Sequence, residues 1–96
     1  MKKLVPALAA MALTTACVMP PKDVTDEDLV AYDAAVASIG CDLRSESDYL
    51  PVELQTGLTR EKIIEIGQYK LSTEEVVALE GGGVRLVTGA CAPTAA

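Results

Sequence analysis

The sequence predicts a small α+β fold: three short helices followed by a C-terminal β-hairpin, stapled by one disulfide. Three observations carry this expectation. Apolar residues recur at helical spacing through residues 25–71, broken at Gly40 and Gly57. Two runs, VVAL at 76–79 and VRLV at 84–87, flank Gly81-Gly82-Gly83 as strands flank a hairpin turn. Cys41 and Cys91 stand on either side of most of this unit.

The first helix opens at Thr25, whose hydroxyl can accept an orphan backbone N–H. Asp26, Glu27 and Asp28 then sit at the positive end of the helix dipole. Leu29, Tyr32, Val36 and Ile39 give it one apolar face, and Gly40 suits its left-handed stop. Residues 42–48 read as a polar turn. Pro51 suits a helix start and Gly57 its end, so a short second helix is expected between them. Thr59 caps a third helix from Arg60 to about Leu71, with Leu58, Ile63, Ile66 and Lys70 as its buried stripe. Ile64 is left to face a neighbour. Gly67 inside this helix costs about 1 kcal/mol against Ala, which points to close contact with the first helix. In the hairpin, Val77, Leu79, Val84 and Leu86 are expected on one face, with Arg85 opposite Glu80 on the other.

The 96 residues carry a net charge of −6 and contain no Phe, Trp or His. The core must therefore come from Leu, Ile, Val and Ala. Met1-Lys2-Lys3 is a basic head, residues 4–13 are a short apolar run, and Thr14, Thr15 and Ala16 are small. That layout is a secretory signal over 1–16, and the run is shorter than the roughly 20 residues of a membrane-spanning helix. Loss of Lys2 and Lys3 with the signal takes the net charge from −6 to −8. Such a surface repels phosphate backbones, so no nucleic acid is expected as partner. Residues 17–24, with Pro20-Pro21, read as a stiff spacer. Residues 25–91 form the domain and 92–96 a loose tail.

Leu13-Thr14-Thr15-Ala16-Cys17 resembles the lipobox of bacterial lipoproteins, with Thr14 where that family prefers Leu. The resemblance implies lipidation of Cys17 and a membrane anchor. Because Val18 rather than Asp follows the cysteine, it also implies sorting to the outer membrane, with the inner membrane as the alternative. Thr14 and Ala16 equally suit an ordinary signal-peptidase cut. Three cysteines leave one over in an exported chain. Lipidation of Cys17 would remove the odd one, and Cys41 and Cys91 would pair in the oxidising compartment.

Gly57-Leu58-Thr59 with Ile63 and Ile66 resembles the turn and second helix of a winged helix-turn-helix domain. The segment 79–86 resembles its wing. Two departures stand out. Glu53 occupies the place where that family sets a small residue, and Glu61 and Glu65 dilute Arg60, Lys62 and Lys70 on the would-be reading helix. The fold is therefore implied, and DNA reading is not.

No catalytic site is expected. Ser45, Ser47 and Ser72 lack a partner base, and neither His nor CxxC spacing offers a zinc site. The glycine triplet precedes no Lys-Ser or Lys-Thr of a phosphate loop. Asp23, Asp26, Glu27 and Asp28 lack the alternating spacing of a calcium loop; with Glu74 and Glu75 they read as solvated carboxylates. No cofactor and no metal follow. The expected function is a non-catalytic interaction or structural module of the bacterial envelope, membrane-bound through its lipid, facing the periplasm and binding an unidentified envelope protein. A winged-helix DNA-binding regulator and an acidic cation-dependent binding module are the alternatives.

Overall fold

The computed structural model describes residues 19–93. The expected signal (1–16), Cys17 and the last three residues lie outside that range. The elements are α1 (Asp26–Ser38), β1 (Asp42–Leu43), α2 (Glu46–Thr56), α3 (Arg60–Ser72), β2 (Val76–Ala78) and β3 (Val84–Leu86), closed by a 3-10 turn at Gly89–Cys91. The class is α+β, as expected, with three helices and a three-stranded sheet. The sheet is antiparallel with order β1-β3-β2.

Helix α1 begins where Thr25 and Asp28 satisfy each other. The Asp28 N–H donates to the Thr25 hydroxyl and the Thr25 N–H to the Asp28 carboxylate, both at 3.0 Å. Ahead of it the spacer is not fully extended: the Val24 N–H reaches the Pro21 carbonyl at 3.3 Å, and Val24 packs on the core. Helix α2 starts five residues before Pro51, at Glu46. The Asp48 carboxylate accepts the N–H groups of Arg44 (2.8 Å) and Ser45 (3.3 Å), which caps the helix early. Pro51 then forfeits one intrahelical hydrogen bond. Gly57 ends α2 at φ 73°, its N–H on the Glu53 carbonyl. Thr59 caps α3 by accepting the Lys62 N–H at 3.2 Å.

Three corrections concern the sheet. Residues 42–43, read as turn, form the strand β1, whose length of two residues leaves no periodicity to detect. The phase of β2 also differs from expectation. Val76 pairs with Leu86 and Ala78 with Val84, so Val76 faces the core and Val77 turns outward opposite Arg85. The run VVAL does not alternate, so its phase is set by Glu75, which Lys70 and Thr73 hold at the strand entry. Arg85 does not meet Glu80. It donates to Asp42, its partner across β1–β3, at 2.7 Å. Gly83, at φ 91°, passes so close to β1 that a Cβ would overlap the Leu43 carbonyl.

The core draws on every α-helix and strand: Tyr32, Ala35 and Val36 from α1, Leu43, Val52, Ile63, Ile66, Val76 and Leu86. Among them sits the one buried cation of the described residues, Lys70, 2% exposed. Its Nζ lies 2.9 Å from Glu75 and 3.1 Å from Asp33, and 5.8 Å from the Tyr32 ring centre. Burial opposes the charge on Lys70, but hydrogen bonds to Glu75 and Asp33 outweigh it and raise its pKa. The Thr73 hydroxyl, then Lys70, hold Glu75 below the ordinary carboxylate range. Glu75 therefore stabilises the fold above the unfolded-state value near 4.5, and that contribution is lost as pH falls through the lower folded-state value. Lys70 behaves oppositely: its contribution is full below the ordinary lysine value and is lost as pH rises through the raised one.

Replacing Glu75 by Gln should cost about 1–2 kcal/mol in urea unfolding at pH 7, reduced by the partial exposure of the pair. The gap from the unaltered chain should narrow in acid, once Glu75 itself is protonated. A gap that stays constant down to acid pH would show that the Lys70–Glu75 pair adds nothing.

Candidate functional site

Of the residues singled out in the sequence, the structure joins two. Cys41 and Cys91 are bonded, with Cα atoms 5.8 Å apart. The bridge ties the end of α1 to the chain just beyond β3. Cys17 lies outside the described residues. Among the described residues no three of His, Cys, Asp and Glu gather as a metal would need, and no helix is long and apolar enough to cross a membrane.

A cleft of about 220 Å³ lies beside α3. One wall is the helix itself, where Ile64, Gly67, Gln68 and Leu71 fall on one face by their spacing of three and four. The other wall is Leu43 with Gly83 and Val84, brought together by the close pass of the hairpin over β1. Tyr49 of α2 closes one end. The Arg60 guanidinium lies 4.6 Å from its ring centre and donates to Glu46 at 2.8 and 3.0 Å, and to Glu53. Glu53, the departure from the winged-helix pattern, is thus the acceptor that clamps α2 to α3. These two carboxylates raise the pKa of Arg60 further, and Arg60 in turn lowers that of Glu46.

Tyr32 forms the floor. Its hydroxyl is buried without a hydrogen-bond partner among the described residues. A Cβ on Gly67 would come within 3.3 Å of that oxygen, so the glycine marks the close approach of α3 to α1 that the sequence suggested. Burial, then the Tyr49 and Asp33 charges, push the hydroxyl well above the ordinary tyrosine range, so it stays protonated.

The mouth is apolar and acidic. Ile64 is 42% and Leu71 39% exposed. Glu61 and Glu65 are exposed on the adjoining flank of α3, within three or four residues of Ile64 and Gln68. The three basic residues of α3 are all engaged elsewhere. Arg60 is clamped, the Lys62 ammonium reaches the Asp23 carbonyl at 3.3 Å, and Lys70 is buried.

The sequence singled out Ile64 as facing a neighbour, but not Tyr49, Gln68 or the pairing of Ile64 with Leu71. Those two stand seven apart, on a stripe separate from Ile63, Ile66 and Lys70, and that second stripe was the available signal. Tyr49 and the sheet wall had none, because they reach the cleft only through the tertiary fold. No family model, no curated protein and no solved structure matches this chain.

An unpaired buried hydroxyl costs stability, commonly about 1–3 kcal/mol. Changing Tyr32 to Phe should therefore leave the melting temperature unchanged or raise it. A clear fall would mean that the hydroxyl has a partner and that the floor of the cleft is polar.

Proposed function

We propose that this chain is a small exported envelope lipoprotein, tethered through Cys17, that serves as a non-catalytic interaction module. The observation that carries the reading is the Cys41–Cys91 bridge. A disulfide that closes most of a small domain belongs to an oxidising compartment. The basic, apolar and small-residue order of residues 1–16 supplies a route there. With Cys41 and Cys91 paired, Cys17 is the odd cysteine, and acylation accounts for it. Tethering then places the domain on the periplasmic side, at the outer membrane by the sorting preference of the lipobox family. The spacer is short, so the cleft beside α3 would work close to the membrane, on an envelope protein.

One feature favours a second reading. The order of elements and of strands is winged-helix-like, which would suit a DNA-binding regulator. The surface argues the other way. The outer face of α3 presents Glu61, Ile64, Glu65, Gln68 and Leu71, and none of these carries a positive charge to offset phosphate.

Mass spectrometry of the full chain recovered from membranes tests the proposal. Residues 1–16 should be missing and acyl mass should sit on Cys17. A chain that starts at Cys17 without acyl mass would keep export and remove the tether. An intact Met1 would overturn both.

A further inference from the structure

We propose that the cleft beside α3 takes one large apolar side chain from a cationic peptide segment of a partner protein. That the partner is an envelope protein rests on the reading above; the chemistry of the cleft does not.

Size favours a peptide anchor. Pockets that enclose small-molecule ligands run from roughly 300 to 1,000 Å³, and this cleft holds about 220 Å³. It has room for one bulky side chain. The walls are aliphatic, with Leu43, Ile63 and Val84 inside and Ile64 and Leu71 at the lip. Gln68, exposed between those two, can both donate to and accept from a peptide backbone lying across the mouth.

Charge selects the flanks of that anchor. Glu61 and Glu65 beside the lip enter no ion pair among the described residues. The two ion-paired basic side chains of α3 are each outnumbered: Arg60 faces Glu46 and Glu53, and Lys70 faces Asp33 and Glu75. Lys62 meets only the Asp23 carbonyl, and Arg44 and Arg85 share Asp42 beside the sheet wall, so the negative excess lies on the α2–α3 side of the cleft, at Glu46, Glu53, Glu61 and Glu65. A second copy of this chain would bring the same acids against them, and an anionic lipid surface or a nucleic acid would be repelled. A segment with Lys or Arg on either side of its anchor is attracted and has carboxylates to pair with.

Fluorescence anisotropy on the purified full chain can test this with three labelled peptides. The first has one Leu flanked by lysines, the second Ser in place of that Leu, and the third Glu in place of the lysines. The first should bind. Losing the Leu should weaken binding about tenfold or more, the usual worth of burying one such side chain. The Glu-flanked peptide should not bind. Leu71→Ser should weaken the first peptide with little change in melting temperature, since Leu71 is partly exposed. The pair Glu61→Gln and Glu65→Gln should weaken it and flatten its salt dependence. Equal binding of the Leu and Ser peptides would reduce the effect to bulk charge attraction and overturn the proposal. Equal binding of the Lys- and Glu-flanked peptides would overturn the charge selection, and so would dimerisation of the chain through Ile64 and Leu71. Failure of all three peptides to bind would overturn the cleft as a docking site, and would leave the mass of Cys17 to decide the envelope reading separately.

Discussion

Cys41 is the residue on which the rest of this fold hangs. It follows the left-handed Gly40 and is itself left-handed, at φ 78°. That conformation costs a residue with a side chain about 1–2 kcal/mol. Three bonds hold it there. Its N–H donates to the Val36 carbonyl at 2.9 Å, its carbonyl accepts the Leu86 N–H at 2.9 Å, and its sulfur is bonded to Cys91. One residue thus turns the chain out of α1, starts the edge strand and joins it to the last strand. With the cysteines 50 positions apart, chain-entropy reasoning assigns the bridge about 4 kcal/mol. For a domain this small, that is comparable with its whole net stability.

The other organising feature is the distribution of charge. The chain is acidic, yet its buried and clamping positions go to cations. Lys70 lies in the core between Asp33 and Glu75, and Arg60 joins α2 to α3 through Glu46 and Glu53. Each cation is held by two carboxylates, so structural demands use up the basic residues near α3. What remains on its outer face is acidic and apolar. The outer face of α3 therefore lacks the basic surface that would suit DNA, and a groove runs beside it. The groove exists because Gly83 lets the hairpin close over Leu43, and Gly67 lets α3 settle on Tyr32.

The helices were legible in the sequence because each rests on local signals, whereas the disulfide was legible from the count of cysteines in a chain read as exported. Thr25 and Thr59 are caps, Gly57 is a stop, and the apolar spacing around Tyr32 and Ile63 is helical. The start of α2 was hidden because Pro51 is a stronger signal than Ser45 and Asp48, though Asp48 makes the cap. The two-residue strand β1 carried no period. The phase of β2 was unreadable in a run without alternation, and depended on Glu75 reaching Lys70 across the chain reversal. The cleft was legible only on its α3 side, at Ile64. Its remaining walls come from α1, α2 and the sheet, which meet through contacts distant in sequence.

The account depends most on Cys41 and Cys91 being joined in the living cell. Acid-quenched cells treated with a thiol-alkylating reagent before any reductant test this directly, with mass spectrometry reading each cysteine. The account predicts both residues unmodified at that stage and both labelled once reductant is added. Quantitative labelling of Cys41 and Cys91 before reduction would contradict it, and with it the oxidising compartment on which the envelope role depends.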